Sequence, residues 1–380
     1  MSIHLFAPAY DVEECLAAVR ECLESGWTGL GFKTDEFEAA WKAYTGLPHA
    51  HFLSSATAGL HLALRVLRER GKWADGDEVI TTPLTFVSTN HAVLYERLTP
   101  VFADVDETLC LDPESIEARI TSRTRAVMFV GFGGNSGRLR DVAELCRARG
   151  LRLVLDAAHM AGTRVDGRHV GREAEATVFS YHSVKNLPTA DGGMVCFRDE
   201  EDDRRARRLS WLGIDRNTYQ RTHSPGPHKW RYDIEDVGYK YHGNSIMAAI
   251  GIVQLRHLDR DNAARREIAA AYRARLGGVA GLRLIPVPDE CESSTHLFPI
   301  RVERRDELIQ HLNARDVFPG VHYRDNTEYG PYRASAGSCP RAAAASREIV
   351  SLPLHLKLTP DDVERVADCV LEFARAGRPK

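Results

Sequence analysis

The chain alternates between two hydrophobic rhythms. Segments 36–44 and 60–69 place apolar residues at the 3.6-residue spacing of a helix buried along one face. Short runs rich in β-branched residues follow at 78–82, 100–102, 126–130, 151–155 and 176–180. Between the last three lie intervals long enough for crossover connections, with a helix predicted over 139–149. This pattern predicts an α/β fold around a large, mainly parallel sheet. The run at 192–197 reads as a further strand, antiparallel in sense. A long helix is expected over about 245–276, after which 282–286 and 296–302 read as strands of a smaller α+β unit. A final helix opens at Thr359-Pro360-Asp361-Asp362, where Thr caps, Pro takes the first turn and Asp362 complements the helix dipole.

Length turns this order into two domains, because 380 residues exceed what one hydrophobic core usually supports. The expected ranges are 1–250 and 251–380, with the boundary inside the long helix. A formal net charge of −3 leaves no electrostatic footprint for nucleic acid or an anionic membrane. The cluster Arg204-Arg205-Ala206-Arg207-Arg208 follows four acidic residues and reads as a solvated helix face. Eight cysteines are scattered without a C-x-x-C pair, so neither a zinc nor a redox motif is indicated, and no metal is expected. Cys196 and Cys369 sit in apolar runs as small buried hydrophobes. The start has no basic stretch leading into a long apolar one, and no run approaches membrane-spanning length, so a cytoplasmic setting is expected.

Two strand ends carry the most informative chemistry. Ser180-Tyr181-His182-Ser183-Val184-Lys185-Asn186 leads from a strand into a turn that returns through Asp191-Gly192-Gly193. Ligands of α/β sheets bind beyond the carboxyl ends of the strands, which gives Lys185 a functional position, although a solvated surface lysine would share it. The second is Val154-Leu155-Asp156-Ala157-Ala158-His159. A carboxylate there is partly buried and calls for a cationic or donor partner, and a protonated pyridine nitrogen is one. Helix capping would explain Asp156 alone, but not its pairing with Lys185. Ser55, Ala56 and Thr57 open a helix whose backbone N–H groups can cradle phosphate, a signal that is weak alone because Ser and Thr are ordinary caps. Phe86 follows another strand end and can cover a flat ring, where an ordinary core phenylalanine is the competing reading.

In this order and spacing the segments resemble the DegT/DnrJ/EryC/StrS sugar aminotransferases, which share the aspartate aminotransferase fold (fold type I). The Asp-Ala-Ala-His and Ser-Tyr-His-x-x-Lys-Asn segments are the specific ones; Gly26-Trp27-Thr28-Gly29, Gly76-Asp77-Glu78-Val79, Gly320-Val321-His322-Tyr323 and Ser351-Leu352-Pro353-Leu354 support them across nearly the whole chain. The resemblance implies pyridoxal phosphate as cofactor, alternating with its aminated form. It assigns Lys185 to the Schiff base, Asp156 to the pyridine nitrogen, and His159 to a place against the ring. Ser180, Ser55, Ala56 and Thr57 would hold the phosphate, and Phe86 would cover the ring. Lys240, in Gly238-Tyr239-Lys240-Tyr241-His242, matches a segment that reaches the neighbouring subunit's site, so a homodimer with shared sites is implied. Trp27, Trp211, His322 and Tyr323 become candidate contacts for a nucleotide-linked keto-deoxysugar, with glutamate or glutamine as amino donor. Departures are Ala56 for a frequent glycine, Gly131 for a common histidine, and Lys240 and His242 for a common Asn and Arg.

Rival readings are a cyclitol ketone as acceptor, a sugar dehydratase of the same fold, and a regulatory member that binds the cofactor without turnover. The dehydratases carry histidine where this chain has Lys185. The run Gly131-Phe132-Gly133-Gly134-Asn135-Ser136-Gly137 raises a nicotinamide-dependent oxidoreductase, but lacks G-x-G-x-x-G spacing and an acidic ribose partner.

Overall fold

Seven strands form the main sheet of the computed structural model, which describes residues 2–223 and 228–376. Across the sheet they run His51–Leu53, Gly193–Phe197, Ala176–Ser180, Arg152–Asp156, Thr124–Val130, Glu78–Thr81 and Thr99–Phe102. Gly193–Phe197 is antiparallel to both of its neighbours, and the remaining pairings are parallel. The central strands are buried along nearly their whole length, as a parallel sheet covered on both faces requires. One face packs Trp41, Phe129, Phe179 and Tyr181 into a core; the other packs Leu60, Leu64, Met128, Val178 and Val195.

Strand and helix boundaries follow the hydrophobic pattern closely. The helix Leu139–Arg149, the strand Ala176–Ser180 and the long helix Ser245–Leu276 stand at their predicted positions. The last helix, Pro360–Ala376, opens with a reciprocal cap: the Asp362 N–H donates to Thr359 Oγ1 (3.2 Å) and the Thr359 N–H to Asp362 Oδ2 (3.0 Å). Other elements, such as the helices Val12–Ser25 and Arg305–Asn313, escape that reading, and two of these stand beside the site. His51–Leu53 has only three residues, all buried, so it shows no alternation, and the helix Ser88–Tyr95 is too short to establish a period. The expected strand 282–286 stops at Leu284, just before Ile285-Pro286, since proline has no N–H to give a ladder.

The arginine cluster needs correction. Arg204 does pair with exposed Glu200 and Glu201. Arg207, however, turns inward to Glu38 (2.8 Å), Asp203 (2.7 Å) and the Ala50 carbonyl (2.6 Å). Half of that helix is a clamp on the strand-bearing core rather than a solvated face. All eight cysteines are free and buried.

A second sheet joins Leu282–Leu284, Phe298–Val302 and Ile349–Leu352, all antiparallel. The helix Ser245–Leu276 runs unbroken through residue 250, giving Ala248 and Leu258 to the large core, and Tyr272 and Leu276 to the small one. At the other end of the chain, Ile3–His4 pairs in parallel with Val317–Phe318, beside this second sheet.

Gly193 ties the sheet to the helix Ala56–Gly71. A Cβ at Gly193 would stand 2.4 Å from the Ala56 nitrogen and 2.6 Å from the Ser55 carbonyl oxygen, and neither backbone atom can yield. Gly193→Ala is therefore expected to destabilise the protein by at least about 2 kcal/mol through overpacking. Denaturant midpoints check this, and a change below about 0.5 kcal/mol would show that the contact does not matter.

Candidate functional site

Beyond the carboxyl ends of the parallel strands lies a cavity of about 640 Å³. Each adjacent strand delivers a residue to its wall: Ser55 follows His51–Leu53, Phe86 follows Glu78–Thr81, and Val130, Asp156 and Ser180 end their own strands. Lys185, His159, His322, Tyr323, Ala56 and Thr57 complete the set named from sequence that lines it.

Lys185 sits in a tight turn. Its N–H donates to the His182 carbonyl (2.8 Å), and Thr189 closes the turn with its hydroxyl on the Asp191 carbonyl (2.7 Å). Burial pulls the Lys185 amine down to about 8, and the carboxylate of Asp156 offsets only part of that. Asp156 is itself buried, which raises its carboxyl above the usual range. Two donors counter the rise: the Thr89 hydroxyl on Oδ2 (2.7 Å) and the Ala158 N–H on Oδ1 (3.1 Å). Thr85 donates to Thr89 in turn (2.9 Å), so a relay of hydroxyls fixes this carboxylate.

His159 has its tautomer set by the backbone. The Gly133 N–H donates to Nδ1 (3.1 Å), so a neutral ring carries its proton on Nε2 and donates to Tyr323 Oη (3.0 Å). Burial, followed by the charge of Lys185, holds His159 well below its usual range. His322 is drawn down to about 4, again chiefly by burial, and shares a 2.9 Å hydrogen bond with Ser351. The exposed ring of Phe86 stands 6.2 Å from that of Tyr323.

Phosphate has a natural seat. Ser55 caps the helix Ala56–Gly71, its hydroxyl accepting from the Ala58 N–H (3.1 Å). The N–H groups of Ala56 and Thr57 belong to the first turn, where no intrahelical acceptor exists, and they border the cavity beside Ser180.

Three residues named from sequence lie elsewhere within this chain. Trp27 packs on Tyr219 (4.9 Å) and His223. Trp211 packs on His242 (4.4 Å), and the Lys240 ammonium lies 3.4 Å from the centre of its ring. None of the three lines the cavity. Conversely, sequence reading passed over Thr89 and His296, both close to the chemistry. Thr89 lies in the short helix without a period, one turn beyond Thr85. His296 comes from Ser293-Ser294-Thr295-His296, whose polar side chains mark a binding loop only once their partners are known.

Those partners explain the glycine run. Gly133 and Gly134 have φ of 63° and 95°, the left-handed region. The Ser293 hydroxyl donates to the Gly134 carbonyl (3.0 Å), the His296 N–H to the Gly133 carbonyl (3.0 Å), and the Ser294 hydroxyl to the His159 carbonyl (2.6 Å). A Cβ on Gly134 would fall 2.3 Å from Ser294 Oγ. The run is a socket for the 293–296 strap rather than a dinucleotide loop. A side chain at Gly131 would likewise strike Met160, whose sulfur lies 1.9 Å from the Cβ position.

Residues 9–371 match the DegT/DnrJ/EryC1/StrS aminotransferase family. The chain is 36% identical over 375 residues to the spore coat polysaccharide biosynthesis protein SpsC of Bacillus subtilis (strain 168), covering 96% of this chain and 95% of that protein. The crystal structure of the aminotransferase TlmJ from Streptoalloteichus hindustanus superposes with a TM-score of 0.90 at 36% identity, over 98% of this chain and 99% of that one. Spr1654 from Streptococcus pneumoniae, in its PLP form, superposes with a TM-score of 0.90 at 28% identity over 100% of both chains.

The lowered Lys185 amine has a signature in stability. Below pH 8 both folded and unfolded chains carry its proton, and the folded chain bears the full cost of a buried ammonium. Between pH 8 and 10.5 only the unfolded chain keeps the proton, so this contribution to stability rises with pH. The shift from 10.5 to about 8 corresponds to about 3 kcal/mol. Unfolding free energies of wild type relative to Lys185→Met, measured without cofactor, should rise by up to that amount across the window. A flat difference would place the amine in water.

Proposed function

The chain belongs to the DegT/DnrJ/EryC1/StrS aminotransferase family, whose members work with pyridoxal phosphate, and from that premise we propose that it moves an amino group from glutamate to a keto group of a nucleotide-linked deoxysugar. Glutamine is the second donor under this reading, and a cyclitol ketone the second acceptor. The observation that carries it is a partly buried lysine, its amine pulled toward neutrality, in one cavity with a buried carboxylate.

These residues fit the cofactor. Asp156 accepts hydrogen bonds from Thr89 and Ala158, and a pyridinium proton would relieve the cost of its burial. Ser55, Ser180 and the helix start at Ala56 and Thr57 suit a phosphate, while His159 and Phe86 offer flat surfaces for a ring. Bound there, pyridoxal phosphate supplies an electron sink that stabilises negative charge on the carbon next to nitrogen.

The protein's part is to bind, orient and move protons. Lys185, about half neutral at pH 8, would accept a proton at Nζ from the donor's alpha carbon and release it to a different carbon, as general base and then acid. Asp156, held by the Thr85–Thr89 relay, would accept from the pyridine nitrogen. His322 and Tyr323 line the cavity wall and are the contacts proposed for the acceptor sugar.

Trp27, Trp211 and Lys240 are proposed to serve across a homodimer interface. Supporting this, Trp230, Ile234 and Val237 leave large apolar side chains exposed along the segment that leads to Lys240. Within the described residues no helix is long and apolar enough to cross a membrane.

Absorption spectra with pyridoxal phosphate test the reading. A visible cofactor band that bleaches on adding glutamate is expected, and Lys185→Ala should abolish both the covalently bound band and turnover. A band that ignores glutamate but responds to another amine would replace the donor, and amino transfer retained in Lys185→Ala would end the assignment of that residue. Thr89→Val should weaken pyridoxal phosphate binding by roughly tenfold or more, since a hydrogen bond to a charged group is lost. Equilibrium titration measures this, and an unchanged affinity would show that the relay does not support Asp156.

A further inference from the structure

The 293–296 strap brings a second imidazole to the lysine. His296 Nε2 lies 3.5 Å from Lys185 Nζ, and its Nδ1 lies 2.9 Å from Asn186 Oδ1. The orientation of Asn186 is fixed independently. Its amide nitrogen donates to Asn262 Oδ1 (2.7 Å) and to the Ser294 carbonyl (2.7 Å), so Oδ1 is the atom left for His296. Asn262 is held in turn by donating to the Ala161 carbonyl (2.9 Å). An amide oxygen can only accept, so the imidazole proton sits on Nδ1 and the Nε2 lone pair faces Lys185. Phe6, stacked on the imidazole at 5.6 Å, and His159, at 4.4 Å, leave the ring little freedom.

We propose that His296 is a positioning residue for Lys185: an imidazole locked as a hydrogen-bond acceptor, which takes one amine N–H and so turns the nitrogen lone pair toward the open cavity. The inference rests on Lys185 being the reacting amine. A neutral amine has two N–H groups and one lone pair in tetrahedral array, so engaging one N–H at His296 restricts where the lone pair can point. When the amine is protonated, the same Nε2 accepts from the ammonium. His296 does not take the proton itself, because burial and then the positive charge of Lys185 keep it neutral.

Other groups around the amine do not duplicate this role. Asp156 shares the cavity wall, with Thr89 and Ala158 on its oxygens. The imidazole nitrogens of His159 already face Gly133 and Tyr323, and His322 faces Ser351. His182, Asp191, Arg324 and Tyr329 share the cavity wall without a hydrogen bond to Nζ. Arg265 and His355 border a small void of about 20 Å³ behind Lys185 and His296. The Arg265 charge reinforces the neutrality of His296.

Two substitutions separate positioning from packing. His296→Asn keeps a donor near the place of Nδ1, toward Asn186, and removes the acceptor facing Lys185. His296→Gln can set an amide oxygen where Nε2 stands. The readout is the pH dependence of Lys185 acetylation by acetic anhydride in the full-length chain without cofactor, followed on the Lys185 peptide by mass spectrometry. Because no cofactor is present, its outcome is independent of whether the proposed transamination occurs. The midpoint should lie near pH 8 in wild type, fall by about one unit in His296→Asn, and stay within about 0.3 unit of wild type in His296→Gln. An unmoved or raised midpoint in His296→Asn would overturn the proposal. So would equal shifts in both variants, which would mark a packing role only.

Discussion

Everything at this site depends on the expense of keeping an amine and a carboxylate out of water in the same cavity. Neither is joined to the other by a close ion pair, so each must be supported separately. Asp156 is supported from below by hydroxyl and backbone donors, and Lys185 is shifted toward its neutral form. This is a poor arrangement for stability alone. It becomes sensible when a ligand brings a proton for the carboxylate and an electrophile for the amine, and it couples the protein's electrostatic strain to occupancy of the cavity. Parallel strands, whose carboxyl ends converge on one rim, let residues far apart in sequence share that cost.

The second constraint is alignment. The site is made by a large sheet and a strap at 293–296, and their mutual position rests on hydrogen bonds to two glycine carbonyls and one histidine carbonyl. Glycine at 133 and 134 lets the chain adopt positive φ and lets the strap approach within hydrogen-bonding distance. The same contacts hold His159 and His296 against one another. The histidines therefore act as rigid, neutral dipoles, the direction of His159 decided by the Gly133 backbone and that of His296 by the Asn186 amide.

Much of this was legible in the sequence, for a physical reason. Apolar strands ending in Asp156 and Ser180 put those residues at a known edge of a known sheet, and the turn carrying Lys185 follows directly. Ser55 to Thr57 were recognisable because a cap and a helix start are local events. What stayed hidden was nonlocal. Thr89 matters only because its helix lies beneath Asp156, and His296 only because Asn186, Asn262 and Gly133 fix it from three other segments. The aromatic residues Trp27 and Trp211 stood out by type, yet within one chain they pack on neighbouring rings away from the cavity. Side-chain type suggests capacity; placement requires the fold.

The short strand Ile3–His4 connects the start of the chain to the surroundings of Lys185. It stitches the beginning of the chain to Val317–Phe318, beside the second sheet. The large sheet is thus bracketed in sequence by two segments that reach the second core, Ile3 ahead of it and the far end of the helix Ser245–Leu276 behind it. Phe6 lies just beyond Ile3–His4 with its ring stacked on His296. The start of the chain thus bears directly on the imidazole beside the lysine.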